Sequence, residues 1–183
     1  MKINRKLTWV MLLGMTALFT QCKDSGEDVA PDDENELITT VILKFTEQGT
    51  TNVTTFKSSD PDGEGGNPPV IDNITLKPAT TYSVETQILD ESKSPAVDIT
   101  KEVAEEAVDH LFVYTTSPAA LLAYTASDKD ANNLPIGIKG QAVTGAAGTG
   151  TLKVQLRHQV GTKNGSATPG SDDVNVDFPL KVQ

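Results

Sequence analysis

The 183 residues contain one cysteine, Cys22, and one tryptophan, Trp9. A single thiol excludes an internal disulfide and a thiolate-ligated metal cluster. Basic residues are also scarce, 15 against 25 acidic, which leaves a formal charge of −10. Phosphate repels such a chain, so a nucleic-acid partner is not expected. No apolar run reaches the roughly 20 residues that a transmembrane helix needs. The sequence has no G-x-S-x-G elbow, no H-E-x-x-H and no Cys–His pair. Its acid pairs are expected on loops or solvated faces, and the chain is not expected to be an enzyme.

The N-terminus has the plan of an export signal. Lys2, Arg5 and Lys6 precede "LTWVMLLGMTALFT", an apolar stretch of about a dozen residues, the length of a signal-peptide core. Cys22 follows at once. The segment "LFTQC" resembles a bacterial lipobox, where cleavage precedes a cysteine that then carries lipid. Gln21 stands where Gly, Ala or Ser is usual, and Phe19 where Leu is commoner. The resemblance implies a signal peptide over residues 1–21 and a membrane anchor on Cys22. Acyl chains contribute about 0.8 kcal/mol per buried CH2, so several make a stable anchor. Removing residues 1–21, which carry three basic and no acidic residues, takes the formal charge from −10 to −13 and removes the tryptophan.

After Cys22, residues 23–35 read "KDSGEDVAPDDEN", with almost nothing to bury, and residues 22–35 are expected to form a lipidated, disordered tether. From residue 36 to residue 183 a single domain is expected, of a size that a hydrophobic core can hold without staples. There the pattern turns to period two. Leu37, Thr39, Val41, Leu43 and Phe45 mark one face of a half-buried strand. Further strands are predicted at 52–57, 70–76, 82–89, 111–115, 121–125, 136–143, 151–158 and 174–182. Pro179 lacks the amide a central ladder needs, so the last strand is expected to be an edge or bulged there. "VGTKNGSATPGSDD" reads as a long hairpin loop. "GAAGTG", residues 145–150, leads into a strand instead of a helix. It therefore reads as a hairpin turn, not a phosphate loop. One short helix is predicted in "DITKEVAEEAVDH", with Asp98 or Thr100 as N-cap. Nine strands and one helix point to an all-β, two-layer sandwich with one short helical connection.

Residues 74–84, "ITLKPATTYSV", resemble the strand entry of fibronectin type III and related immunoglobulin-like domains. The pattern is L-x-P-x-T-x-Y, carried by Leu76, Pro78, Thr80 and Tyr82. The resemblance implies an immunoglobulin-like β-sandwich in which the Tyr82 hydroxyl bonds to backbone just upstream and pins a corner between the sheets. More broadly, "ENELITTVILKFTEQG", "VDHLF" and "LKVQLRHQ" look like a group of small uncharacterised Bacteroidetes outer-membrane lipoproteins. That resemblance implies an outer-membrane location, lipid-anchored, on the surface or the periplasmic face. It also implies service to an outer-membrane nutrient-uptake receptor or to a small nutrient, by analogy alone.

Three groups of side chains carry possible chemistry. "DPDGEG" places Asp60, Asp62 and Glu64 at alternate positions with Gly65 next, and "DKDANN" places Asp128, Asp130 and Asn132 likewise with Asn133 next. Alternate spacing can turn three oxygens toward one calcium ion, which takes 6–8 oxygen ligands. Neither loop has an acid at position 12, where Ile71 and Lys139 stand. The third group is the two histidines. His110 ends the helix beside Asp109, and His158 ends a strand beside Arg157 and Gln159. They make a transition-metal or haem pair only if the fold unites them. Taken singly, His110 caps helix carbonyls and His158 lies at the surface near a strand end. Two functions follow from the sequence: a non-catalytic binding or accessory module at the envelope, and a metal-handling accessory lipoprotein using calcium or a transition metal.

Overall fold

The computed structural model describes residues 37–63 and 66–183. The expected signal peptide, Cys22, the tether and Glu64 lie outside the described residues. The described residues belong to one compact unit. Among them no helix is long and apolar enough to cross a membrane.

Among the described residues eleven strands form two sheets. The first holds β1 (Thr40–Glu47), β2 (Val53–Ser59), β3 (Val70–Ile71), β5 (Thr81–Asp90), β6 (Val97–Asp98), β8 (Leu122–Ala126) and β9 (Lys139–Thr144). Its order is β3-β2-β1-β5-β9-β8, with β6 also on β5. The second runs β4 (Ile74–Leu76), β11 (Ser171–Val182), β10 (Gly148–His158), β7 (His110–Ser117). The strands β1-β5-β9-β8 and β11-β10-β7 have the connectivity of the two sheets of an immunoglobulin domain. The β2–β3 pair extends the first sheet beyond β1. Strand β4 runs parallel to β11 on the second. The expected all-β, immunoglobulin-like sandwich with one helical connection is therefore the observed fold. That connection is α1 (Thr100–Glu105), which carries the chain from β6 to β7.

Alternation places the core as expected. Val41, Leu43 and Phe45 of β1 face Leu152, Val154 and Leu156 of β10 and Phe178 and Leu180 of β11 in one buried cluster. Phe45 meets Phe56 and Tyr82 edge-on, with centroids 5.9 Å from each. The Lys77 amide donates to the Tyr82 hydroxyl at 3.0 Å, the upstream bond that the motif implied. It pins the passage from β4 in one sheet to β5 in the other. In immunoglobulin domains the corresponding corner lies at the sixth strand, so the motif sits at a different corner of the same architecture.

Four expectations are corrected. The 136–143 segment becomes strand only from Lys139, because Gly137 has φ +87° and breaks the ladder. The helix spans only six residues, and neither Asp98 nor Thr100 is its N-cap. That place belongs to Ile99, with no side-chain bond. The Thr100 hydroxyl is instead held by Ile88 of β5, whose amide donates to it at 2.8 Å. "GAAGTG" is not a hairpin turn, because β9 and β10 lie in different sheets and the segment crosses between them. Pro179 does stand at an edge: β4 pairs β11 only from Leu180 onward. The bulge of that strand lies elsewhere, and it shapes the site.

Candidate metal centre

His110 and His158 are 48 positions apart in sequence but are cross-strand partners, the first residue of β7 against the last of β10. On β10, inward Leu152, Val154 and Leu156 alternate with outward Lys153, Gln155 and Arg157, so His158 falls on the inward face. His110 shares its face with Phe112. The two rings lie parallel, 4° apart in plane, with centroids 4.7 Å apart, the spacing of neighbouring strands. His158 is thus not a surface residue. Its side chain is 13% exposed, and that of His110 is 2% exposed.

The third member is Asp173. Leu156 pairs with Val174 and Arg157 pairs with Asp172, which leaves Asp173 as an extra residue on β11. This is a β-bulge, a device that re-aims a side chain. Without it, alternation from inward Val174 would turn Asp172 to the core and Asp173 outward. With it, Asp172 lies outside against the Arg157 guanidinium, and Asp173 turns inward with its side chain 5% exposed. The Asp173 Oδ2 lies 3.8 Å from His110 Nε2, and Oδ1 lies 4.0 Å from His158 Nδ1. One ligand atom from each residue lies within 4.8 Å of the other two. The expectation that acids lie only on loops and solvated faces is therefore wrong for Asp173, as it is for Asp90, which is buried in β5.

The electrostatics of this group are incomplete. His110 Nδ1 lies 3.1 Å from the Glu106 carbonyl, to which a ring N–H donates. This is the helix-capping role expected of His110. Its Nε2 faces the Asp173 carboxyl group. Asp173 Oδ1 is buried and accepts no hydrogen bond. Burial pushes the Asp173 carboxyl above its ordinary value, although His158 and His110 pull the other way. Ring nitrogens of two histidines and a carboxyl oxygen without a hydrogen-bond partner are thus gathered in the interior, a donor set that a divalent cation would satisfy. A tetrahedral ion with bonds of about 2.0–2.1 Å holds its ligand atoms roughly 3.3 Å apart. Ligand atoms within 4.8 Å of one another would draw together by up to about 1.5 Å to reach that spacing.

The loop 159–170, which joins His158 to β11, is itself tied down. Arg157 donates to Asp172 and to the carbonyls of Pro169 and Gly170. Gln159 donates to Ser166 O at 2.8 Å and Pro169 O at 3.0 Å. Gly170 packs so closely on the His158 carbonyl that a Cβ there would overlap it.

The two acidic loops are built differently. In the second, Asp128 accepts the Gly137 amide at 2.7 Å and the Lys139 amide at 2.8 Å. Asp130 accepts the Asn132 and Leu134 amides at 2.9 Å each. Asn133 is left-handed, φ 64°, at the position where calcium loops place glycine. The cation of this loop is internal: Lys163 Nζ lies 2.8 Å from Asp130 Oδ2, with both side chains buried. The same ammonium donates to Ala107 O at 2.7 Å. Burial would raise the Asp130 carboxyl, but Lys163 and the two loop amides outweigh it and hold the group below its usual value. Asn132 contributes its backbone amide to this turn. In the first loop, Asp62 accepts the amide and side chain of Asn67, at 2.9 and 2.7 Å. Asp60 keeps one buried oxygen, Oδ1, without a donor.

Asp173 left little trace in the sequence. "SDDV" at a strand entry looks like any solvated strand end, and the bulge that turns it inward depends on pairing with β10. Comparisons with protein-family models, with curated proteins and with solved structures give no match.

Proposed function

We propose that this chain is a non-catalytic, metal-handling module of the cell envelope that binds a divalent transition ion through His110, His158 and Asp173. The observation that carries the reading is the cluster itself: one ligand atom each from His110, His158 and Asp173 within 4.8 Å of one another, with a buried Asp173 oxygen that has no hydrogen-bond partner. Two nitrogens and one carboxylate suit zinc, cobalt, nickel or copper better than calcium or magnesium, which prefer oxygen. The hydrogen bond from His110 Nδ1 to Glu106 O is the outer-shell contact that orients metal-ligating histidines. Three protein ligands leave a coordination position open, which suits an ion that is received and passed on better than one locked into the fold. Lipid on Cys22 would hold the module at the outer membrane, where an uptake receptor is the natural recipient.

The test is a titration with Co2+, whose visible absorption reports nitrogen ligation. Wild type should take up one ion per chain and show d–d bands. His110→Ala, His158→Ala and Asp173→Asn should each weaken uptake by at least tenfold. Equal uptake by wild type and the three variants, or none by either, would refute the assignment.

A further inference from the structure

A buried centre needs a way in, and the described surface offers one. Between the start of β1, with the neighbouring ends of β2 and β3, and the open edge of β11 lies a groove of about 580 Å³, lined among others by Thr39, Asp60, Asp172, Asp173, Asn175 and Asp177. Asp173 belongs both to this groove and to the three-residue centre. Four of the described lining residues are aspartates and none is basic. Asp172 is matched by Arg157 and Asp177 by Lys153 at 3.1 Å. Asp60 and Asp173 each retain a buried Oδ1 with no hydrogen-bond donor among the described residues. The Asp60 amide donates to Thr39 O at 2.8 Å, which fixes this carboxylate beside the start of β1.

We infer that the groove between β1 and β11 is the port through which the divalent ion reaches and leaves the His110–His158–Asp173 centre, with the Asp60 carboxylate as its first station. This inference rests on the metal-binding reading above. The chemistry is graded. A cleft lined by one sign of charge concentrates counter-ions and speeds their association by 10- to 1000-fold. A carboxylate exchanges water for a cation readily and holds it weakly. Imidazole then draws a transition ion inward, because nitrogen binds it better than oxygen does. Asp173, with one face to the groove and both oxygens toward the histidines, is the hand-over point. Calcium and magnesium would visit Asp60 without being drawn further, so selectivity would arise at the inner step. Release to a recipient would follow the same path, which places the docking point of a metal-accepting partner at the mouth of this groove.

The test is stopped-flow mixing of the full chain with Co2+, followed by the rise of its d–d absorption, and a chelator chase for release. Asp60→Asn should slow uptake and release by the same factor, about tenfold at low ionic strength, with the dissociation constant unchanged within about twofold. That equality marks a station on the path, since a group that acts only in passage alters both directions alike. Asp177→Lys, a charge reversal at the groove rim, should slow uptake further. Glu102→Lys makes the same change of net charge on the exposed face of α1 and should have little effect. Uptake rates equal to wild type in both groove variants would overturn the port. A weaker affinity with unchanged uptake in Asp60→Asn would instead make Asp60 a resident ligand and also overturn it. Absence of Co2+ bands in wild type would sink the metal-binding reading itself, whereas normal bands with unchanged rates would sink the port alone.

Discussion

The internal cation of the Asp128–Asn132 loop permits a sharp prediction. Lys163→Met removes the ammonium but keeps most of the side-chain volume. Asp130 Oδ2 then remains buried with no countercharge, and Ala107 O loses its donor. Breaking one partner of a buried pair costs about 3–5 kcal/mol, because the remaining charge has lost both water and partner. The lower figure suits this pair, since Asp130 Oδ1 keeps its two loop amides. For a domain of this size each kcal/mol moves the melting midpoint by about 2–4 °C, so the midpoint should fall by roughly 6–12 °C. The double variant Lys163→Met/Asp130→Asn removes both charges, and its amide oxygen still accepts the loop amides. It should be more stable than the single variant by about 2 kcal/mol. Acid should narrow the gap between the single variant and wild type. The folded wild-type Asp130 carboxyl lies below its ordinary value of 3.8, so its contribution is full above about pH 4–5. That contribution is lost as pH falls through the folded value, while the unpaired carboxylate of the variant takes up its proton sooner and so escapes its penalty. Calorimetry of the three proteins at pH 7 and pH 3 measures all of this. If the double variant is no more stable than the single one, Asp130 does not depend on Lys163, and the internal-cation account fails.

Four further outcomes follow. Millimolar calcium at fixed ionic strength should raise the melting midpoint of Lys163→Met but not that of wild type, with magnesium doing less; a calcium shift in wild type would show that the loops bind the ion despite Lys163. Tyr82→Phe should cost about 1 kcal/mol by urea melting, the worth of the bond from the Lys77 amide; an unchanged midpoint would leave the corner without energetic weight. Gly137→Ala should cost about 2 kcal/mol or more, because φ is +87° and a Cβ would come within 2.8 Å of Phe112 O; a smaller loss would mean that the segment relaxes. Cys22→Ala should free the protein from membranes or leave its precursor uncut, and palmitate labelling equal to wild type would contradict the lipid anchor.

The strands were readable because a sandwich has one wet and one dry face on each sheet, and the period-two pattern in β1, β10 and β11 records it. The L-x-P-x-T-x-Y motif was readable for a local reason: the six residues from Lys77 to Tyr82 contain the whole hydrogen bond. What escaped depended on pairing between distant segments. No spacing rule brings His110 to His158, since only the register of β7 on β10 does so. The inward turn of Asp173 depends on one unpaired position in β11. The acidic loops show the converse failure. Their oxygen spacing suits calcium, but the cation beside Asp130 comes from Lys163, 33 residues further along the chain.

The bulge in β11 carries a consequence for how this chain tolerates changes in length. Most insertions and deletions in a sandwich are absorbed at loop tips, where they alter reach but not chemistry. Here the dipeptide Asp172–Asp173 sits inside a ladder, and its composition matters less than its count. Deleting one of the two leaves an aspartate opposite Arg157 and a regular β10–β11 pairing, yet no carboxylate on the histidine side. A shortened descendant would keep its strand pairing and both histidines while losing the third ligand in a single codon step. Chains that share this architecture can therefore be sorted by whether that one extra residue is present, before any comparison of which residues they contain.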